Sequence, residues 1–278
     1  MSLTPNVPSG PNTEWHKKQE DLWTALGGFS FEEQDMKYTI EKQERLPSHE
    51  RAMTEQLVNT PRFREWMVSP MSRQLLIQGN LTGDRQISTL SVFCSTFTST
   101  IRQGLKYITL VHICGLHTDL NRDVDAGPRG MIMSFIAQLL WQWDFDTTFL
   151  FENVDLSWFE YGWDPSTKNL CDLLIWMIRQ LPSSQTAFFV VDGIHHYEKD
   201  VYVIALMESI ASILETTLDE RVNATVKVLV TSPCRVVETR EGFPDDAILL
   251  LIESPGTSLD IISSRRLEHQ IARTLETS

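Results

Sequence analysis

No run of apolar residues in this 278-residue chain approaches the roughly 20 that a membrane-crossing helix needs. None of its cysteines stands in a C-x-x-C pair. The four that it has, Cys94, Cys114, Cys171 and Cys234, lie far apart. Three of them sit inside apolar segments, the pattern of buried free thiols in a reducing compartment. Positive charge is scarce: 24 Lys and Arg against 37 Asp and Glu give a formal net charge of −13. Binding nucleic acid through phosphate neutralisation requires the opposite balance, so no nucleic-acid partner is expected. The opening, MSLTPNVPSGPNTEW, has neither the basic start nor the apolar stretch of a secretory signal. A G-x-S-x-G elbow and an H-E-x-x-H helix are both missing, which removes support for those hydrolase chemistries. The expectation is a cytoplasmic protein without a membrane association.

What is present describes an α/β protein. At 42% hydrophobic and 22% charged residues the composition is that of a globular chain, long enough for one sizeable domain and a helical extension. Residues 1–12, rich in Pro, Ser, Asn and Gly, are expected to be disordered. Residues 13–72 read as a helical extension and linker. Trp15, Leu22, Trp23 and Leu26 make an apolar stripe that ends at Gly27 and Gly28, a second helix covers Ser48 and residues 51–58, and Pro61 opens a third over PRFREWM. Strand and helix patterns then alternate from residue 73 to residue 255. The strands fall at 74–78, 107–115, 186–192, 226–231 and 247–252. The helices fall at 88–103, 129–143, 166–181 and 200–218, with a short piece around Val236. Runs such as FFVV and VKVLV are apolar throughout, as strands covered on both faces are. Five strands with long crossovers make a three-layer sandwich around a mainly parallel sheet, and the right-handed crossover rule gives the order 5-1-4-3-2. Residues 256–278 read as a helical tail around Ile261, Ile262, Leu267 and Ile271.

Residues 74–90, QLLIQGNLTGDRQISTL, have the outline of a phosphate-binding loop: a short apolar strand, Gly79, then a helix. That order aims backbone N–H groups and a positive helix end at a phosphate. The working pattern is G-x-x-x-x-G-K followed by Ser or Thr. Counted without gaps from Gly79, Asp84 replaces the second glycine, Arg85 the lysine and Gln86 the hydroxyl. A two-residue insertion supplies Ser88 and Thr89 as hydroxyls but puts Ile87 at the lysine position. Gly79, Gly83, Arg85, Ser88 and Thr89 are the candidate nucleotide contacts. Because Asp84 sets a carboxylate where a phosphate oxygen would approach, the loop is expected not to wrap a phosphate.

Two further strands end in groups that a nucleotide site would use. AFFVVDGIHHYE places Asp192 at a strand end, where a carboxylate can hold magnesium, with His196 and Glu198 as further catalytic candidates. The plainer reading ends the strand at Asp192 and puts the His pair on a surface loop; hard Mg²⁺ prefers oxygen ligands to His196. VKVLVTSP ends in Thr231 and Ser232, a polar pair that a strand closed by a polar turn explains, with Thr231 as a further candidate nucleotide contact. Gly127-Pro128-Arg129-Gly130 starts a helix, with anion binding at Arg129 as the alternative. His112, Cys114 and His117 resemble metal ligands, but no second cluster has zinc-site spacing.

These residues carry a resemblance. The glycine turn, Asp192 and Thr231 follow the strand order of P-loop signalling ATPases, and PRFREWM resembles the linker before the NTPase domain of fungal NACHT-like (STAND) proteins. VHICGLHTDLNRDVDAGPRGMIMSFIAQLLWQ resembles a fungal P-loop-like group carrying C-G-L-H, A-G-P-R-G-M and S-x-I-A-Q-L-L. The likeness covers roughly residues 60–255 and implies a P-loop fold. Departures at Asp84, Arg85, Gln86, His195, His196 and Pro233 imply that hydrolysis is lost. The first reading is a degenerate P-loop protein that works by binding a protein partner or itself, with no cofactor. The second is an atypical NTPase in which Arg85, Ser88 or Thr89, and Asp192 hold Mg-ATP. A third is a regulatory module of a larger signalling protein. The aromatic, acidic stretch 144–165 is expected to cover the C-terminal edge of the sheet or to form a partner-binding patch there.

Overall fold

The structure, a computed structural model, describes residues 19–24, 26, 31–81, 85–104, 106–123, 126–147, 150–156, 164–251 and 264–276. Five strands form one all-parallel sheet: β1 (Arg73–Gly79), β2 (Tyr107–Ile113), β3 (Thr186–Asp192), β4 (Thr225–Ser232) and β5 (Ile248–Leu251). Their order is β2-β3-β4-β1-β5, the expected order read from the other edge. Strand β1 therefore lies inside the sheet, with Leu76 beside Val230 of β4 and Ile248 of β5. Strands β3 and β4 are buried along almost their whole length, which is why their sequences are apolar runs instead of alternating ones.

The principal helices are α1 (Glu32–Glu41), α2 (Ser48–Gln56), α3 (Pro61–Val68), α4 (Thr89–Ile101), α5 (Gly127–Gln142), α6 (Thr167–Arg179), α7 (Val203–Glu215) and α8 (Ser264–Glu276). Helices α5, α6 and α7 cover one face of the sheet around Phe135, Leu139, Leu174, Ile178 and Phe189. On the other face α3 and α4 meet the sheet through Phe63, Trp66, Phe93, Phe97 and Phe188, whose ring centroids lie 5.4 to 5.9 Å from their neighbours. Helix α4 is buried nearly all round, because α1, α2 and α8 pack on the side that the sheet leaves free. Its start is fixed locally: Ser88 and Ser91 form a reciprocal capping box. Proline opens α3, and Thr60 caps it by accepting from the Phe63 N–H.

The chain before α1 belongs to the opposite face. Leu22 and Leu26 join the α5–α6–α7 core, and the Gln19 amide donates to the carbonyls of Leu140 and Trp143. Thr186 to Asp192 matches the expected strand residue for residue, while β2 stops at Ile113 because Cys114–Leu116 turns as a 3-10 helix.

The 144–165 segment is described only in part. Its described part buries Phe145, Leu150, Val154 and Leu156 in the helical layer. It touches α6 near Gln180 at one end, and at the other Pro165 accepts from Arg129 at the start of α5. The four buried apolar side chains help to close the helical core. Phe149, Trp158, Phe159, Tyr161 and Trp163 lie outside the described residues, as do residues 1–12, Trp15, Gly83, Asp84, Ile261 and Ile262. No described helix is long and apolar enough to cross a membrane.

Candidate functional site

A parallel sheet brings the ends of its strands and the starts of the following helices to one edge, where such folds bind their ligands. Here the ends of β1, β3 and β4 and the first turn of α4 converge on Asp192. The register that sets Val191 opposite Val230 puts Asp192 next to Thr231, whose hydroxyl donates to Asp192 Oδ1 at 2.6 Å. Asp192 is 1% exposed, and its Oδ2 has no hydrogen-bond partner among the described residues. Burial raises its pKa to about 6, against the pull of the nearby Ser91 and Thr231 hydroxyls and the Gly193 N–H. Cys94 and Cys114 flank the cluster, Cys94 Sγ lying 3.8 Å from the Thr231 hydroxyl. Burial, and then the charge of Asp192, push both thiols well above their usual range, so they are protonated and unreactive at neutral pH.

The phosphate-loop residues are engaged elsewhere. Gly79 ends β1 where an added Cβ would come 2.9 Å from the Pro233 carbonyl oxygen, and the Leu81 N–H donates to that same carbonyl at 2.9 Å. The close approach of two strand ends accounts for this glycine. Arg85, half-exposed, points back to Glu50 of α2, 3.5 Å away. Ser88 spends its hydroxyl on the Ser91 N–H in the capping box. Thr89 bonds the Thr54 hydroxyl of α2 at 2.9 Å.

The backbone at Arg85 and Gln86 also presses on the neighbouring strand ends. His196 Nε2 lies 3.2 Å from the Arg85 carbonyl oxygen. The Gln86 carbonyl oxygen sits 2.0 Å from the place a Cβ would take on Gly115, so only glycine fits at the second position of the C-G-L-H turn. His196 is buried against the Arg85 backbone, which corrects the surface-loop expectation for that residue, while His195 is half-buried. Glu198 turns away from Asp192 and accepts from the N–H groups of Val237 and Thr239 at 2.9 and 2.7 Å, capping the short helical turn Glu238–Glu241.

No protein-family model matches this chain, and no curated protein does. The site is read from its own chemistry. The structure brings Thr231 and Ser91 to Asp192, sets His196 against the Arg85 carbonyl and Ser88 on Ser91, and turns Glu198 to Val237 and Thr239; Gly83 falls outside the described residues. Among the described residues, no group of three or more His, Cys, Asp or Glu side chains is placed to hold a metal. His112 Nε2 instead contacts the Tyr197 hydroxyl at 2.8 Å, and burial lowers its pKa well below the usual value. Arg129 is bound to Pro165 and Asp164.

Sequence reasoning did not find Ser91, Glu50, Thr54 or Gly115. Ser91 was within reach, since it lies three residues from Ser88 at the start of a helix. The partners from α2 were not, because nothing local ties residues 50 and 54 to residues 85 and 89.

Proposed function

We propose that this chain is a degenerate P-loop protein of the NACHT-like type that works by binding a protein partner or a second copy of itself, without hydrolysing nucleotide. One observation carries the reading: Arg85, Ser88, Thr89 and Thr231, the side chains offered for phosphate or magnesium, each bond another residue of the chain. A magnesium nucleotide fits this donor set poorly. No lysine stands after the glycine turn, the helix start is closed by its own serines, and Asp192 is held by Thr231 and weakened as an anion by burial. Arginine at position 85 does not replace a lysine, since its planar fork requires a different geometry.

The parallel α/β sheet is compatible with the P-loop resemblance. The four free cysteines and the net charge of −13 support a cytoplasmic protein that does not bind nucleic acid. The test is phosphate release from Mg-ATP at millimolar substrate, alongside light scattering of the purified chain with candidate partners and alone. The reading expects no release that Asp192→Ala abolishes. Turnover lost in Asp192→Ala would restore the NTPase reading, with Asp192 as its magnesium ligand.

A further inference from the structure

Helices α1 and α2 occupy an unusual position. The chain before them is anchored in one core through Leu22 and Leu26. The chain after them is anchored in the other through Leu57, Val58, Phe63, Trp66 and Met67. Residues 31–56 thus join two fixed points on opposite faces of the sheet, with α1 and α2 lying on α4.

Among the described side chains, their hold on α4 is mostly polar. The buried side chains described within 31–56 are Glu32, Met36, Thr39, Leu46, Glu50, Ala52 and Thr54, of which only Met36, Leu46 and Ala52 are apolar. Among the described residues, Thr39 Oγ1 and Glu50 Oε1 are buried without a hydrogen-bond partner, and so are Ser95 Oγ and Thr98 Oγ1 of α4. Each such atom costs free energy in the closed state that water would return on opening. Beside the apolar contact of Met36, charge holds the pair down. His117, in the turn after β2, lies between Asp35 of α1 at 2.9 Å and Asp123 at 2.7 Å. Arg102 of α4 reaches Glu32, and Arg85 reaches Glu50, both at 3.5 Å.

We propose that residues 31–56 are a hinged cover, latched by His117 between Asp35 and Asp123 and by Arg85 on Glu50, that opens as a unit while the five-stranded sheet stays folded. Opening frees Arg85 and Thr89, the groups that the closed cover occupies with its own carboxylate and hydroxyl. The cover is an autoinhibitory contact on that edge, and the inference holds whether or not a nucleotide binds there.

The groups facing His117 are Asp35 from α1, Asp123 from its own loop, the His112 ring from β2 with centroids 4.9 Å apart, and Tyr197, whose hydroxyl donates to the His117 carbonyl. Asp119 and Arg122 of the same loop pair with each other. Burial opposes the charge on His117, but the bonds and charges of Asp35 and then Asp123 outweigh it and raise its pKa to about 9.

Hydrogen–deuterium exchange of the full chain at pH 7 reads the cover directly. In Asp35→Asn, amides of α1 and α2 are expected to exchange about tenfold faster or more, as losing one charge-assisted bond implies. Amides of β1, β3 and β4 should keep wild-type protection. If Asp35→Asn does not fold, the wild type at pH 10, corrected for the intrinsic rate, provides the same readout through loss of charge on His117. Unchanged protection of residues 32–56, or loss of protection in cover and sheet together, would overturn the proposal.

Discussion

Thr231 donates a 2.6 Å hydrogen bond to Asp192, joining the ends of β3 and β4 around a carboxyl group that water does not reach. The pKa of Asp192 is raised from 3.8 to about 6. A group whose folded pKa is raised adds stability below its unfolded value, and that contribution is lost as pH rises through the folded value. Between roughly pH 4 and pH 6 the fold should lose on the order of 1–3 kcal/mol from this residue. Asp192→Asn, which keeps an oxygen for Thr231, should therefore gain about that much at pH 7.5 and nothing at pH 4. Urea denaturation at the two pH values decides it; destabilisation at both would show that the ionised carboxylate holds the edge together.

Gly115→Ala sets a methyl group 2.0 Å from the Gln86 carbonyl oxygen. Backbone on both sides has to move, and overpacking of this kind costs about 1–3 kcal/mol. Denaturant midpoints should show the loss, accompanied by faster amide exchange in residues 85–88. A stable variant with unchanged exchange would mean that the strand ends are not closed by this contact.

The pH dependence of the latch has the same sign and a different window. His117 contributes fully below pH 6.5 and loses its contribution as pH rises through about 9, up to about 3 kcal/mol for a group this buried. Lys227 works the other way. Burial, and then the charge of Arg73, lower its pKa to about 7, although its ammonium donates to the carbonyls of Ser69 and Met71 at 2.6 and 2.7 Å. Its penalty falls as pH rises from 7. The difference between wild type and Asp35→Asn cancels that term, and it should shrink between pH 7 and pH 10. A difference that stays constant would place the latch elsewhere.

Phe145 is 1% exposed within the α5–α6 core, so Phe145→Ala should cost about 3–5 kcal/mol. A loss below about 1 kcal/mol, well under that range, would return the 144–156 stretch to the surface.

The sheet was legible because its strands are apolar runs separated by long helical patterns, and the right-handed crossover rule leaves few orders for five such strands. Asp192 and Thr231 were legible as strand ends. Their bond to each other was not, since it depends on the register of β3 against β4. The partners of Arg85 and Thr89 were hidden for a similar reason: Glu50 and Thr54 are local helix residues until the fold lays α2 against α4. In the 144–165 stretch, Phe145 was legible only as one of many aromatics, and its burial in the helical core depends on how the helices pack around it.

Isothermal titration of the wild-type chain with ATP and ADP, with and without Mg²⁺, tests the central claim most directly. With Arg85, Ser88, Thr89 and Thr231 already bonded within the chain, no heat of binding is expected up to millimolar nucleotide. A micromolar dissociation constant, strengthened by magnesium and lost in Asp192→Ala, would contradict it.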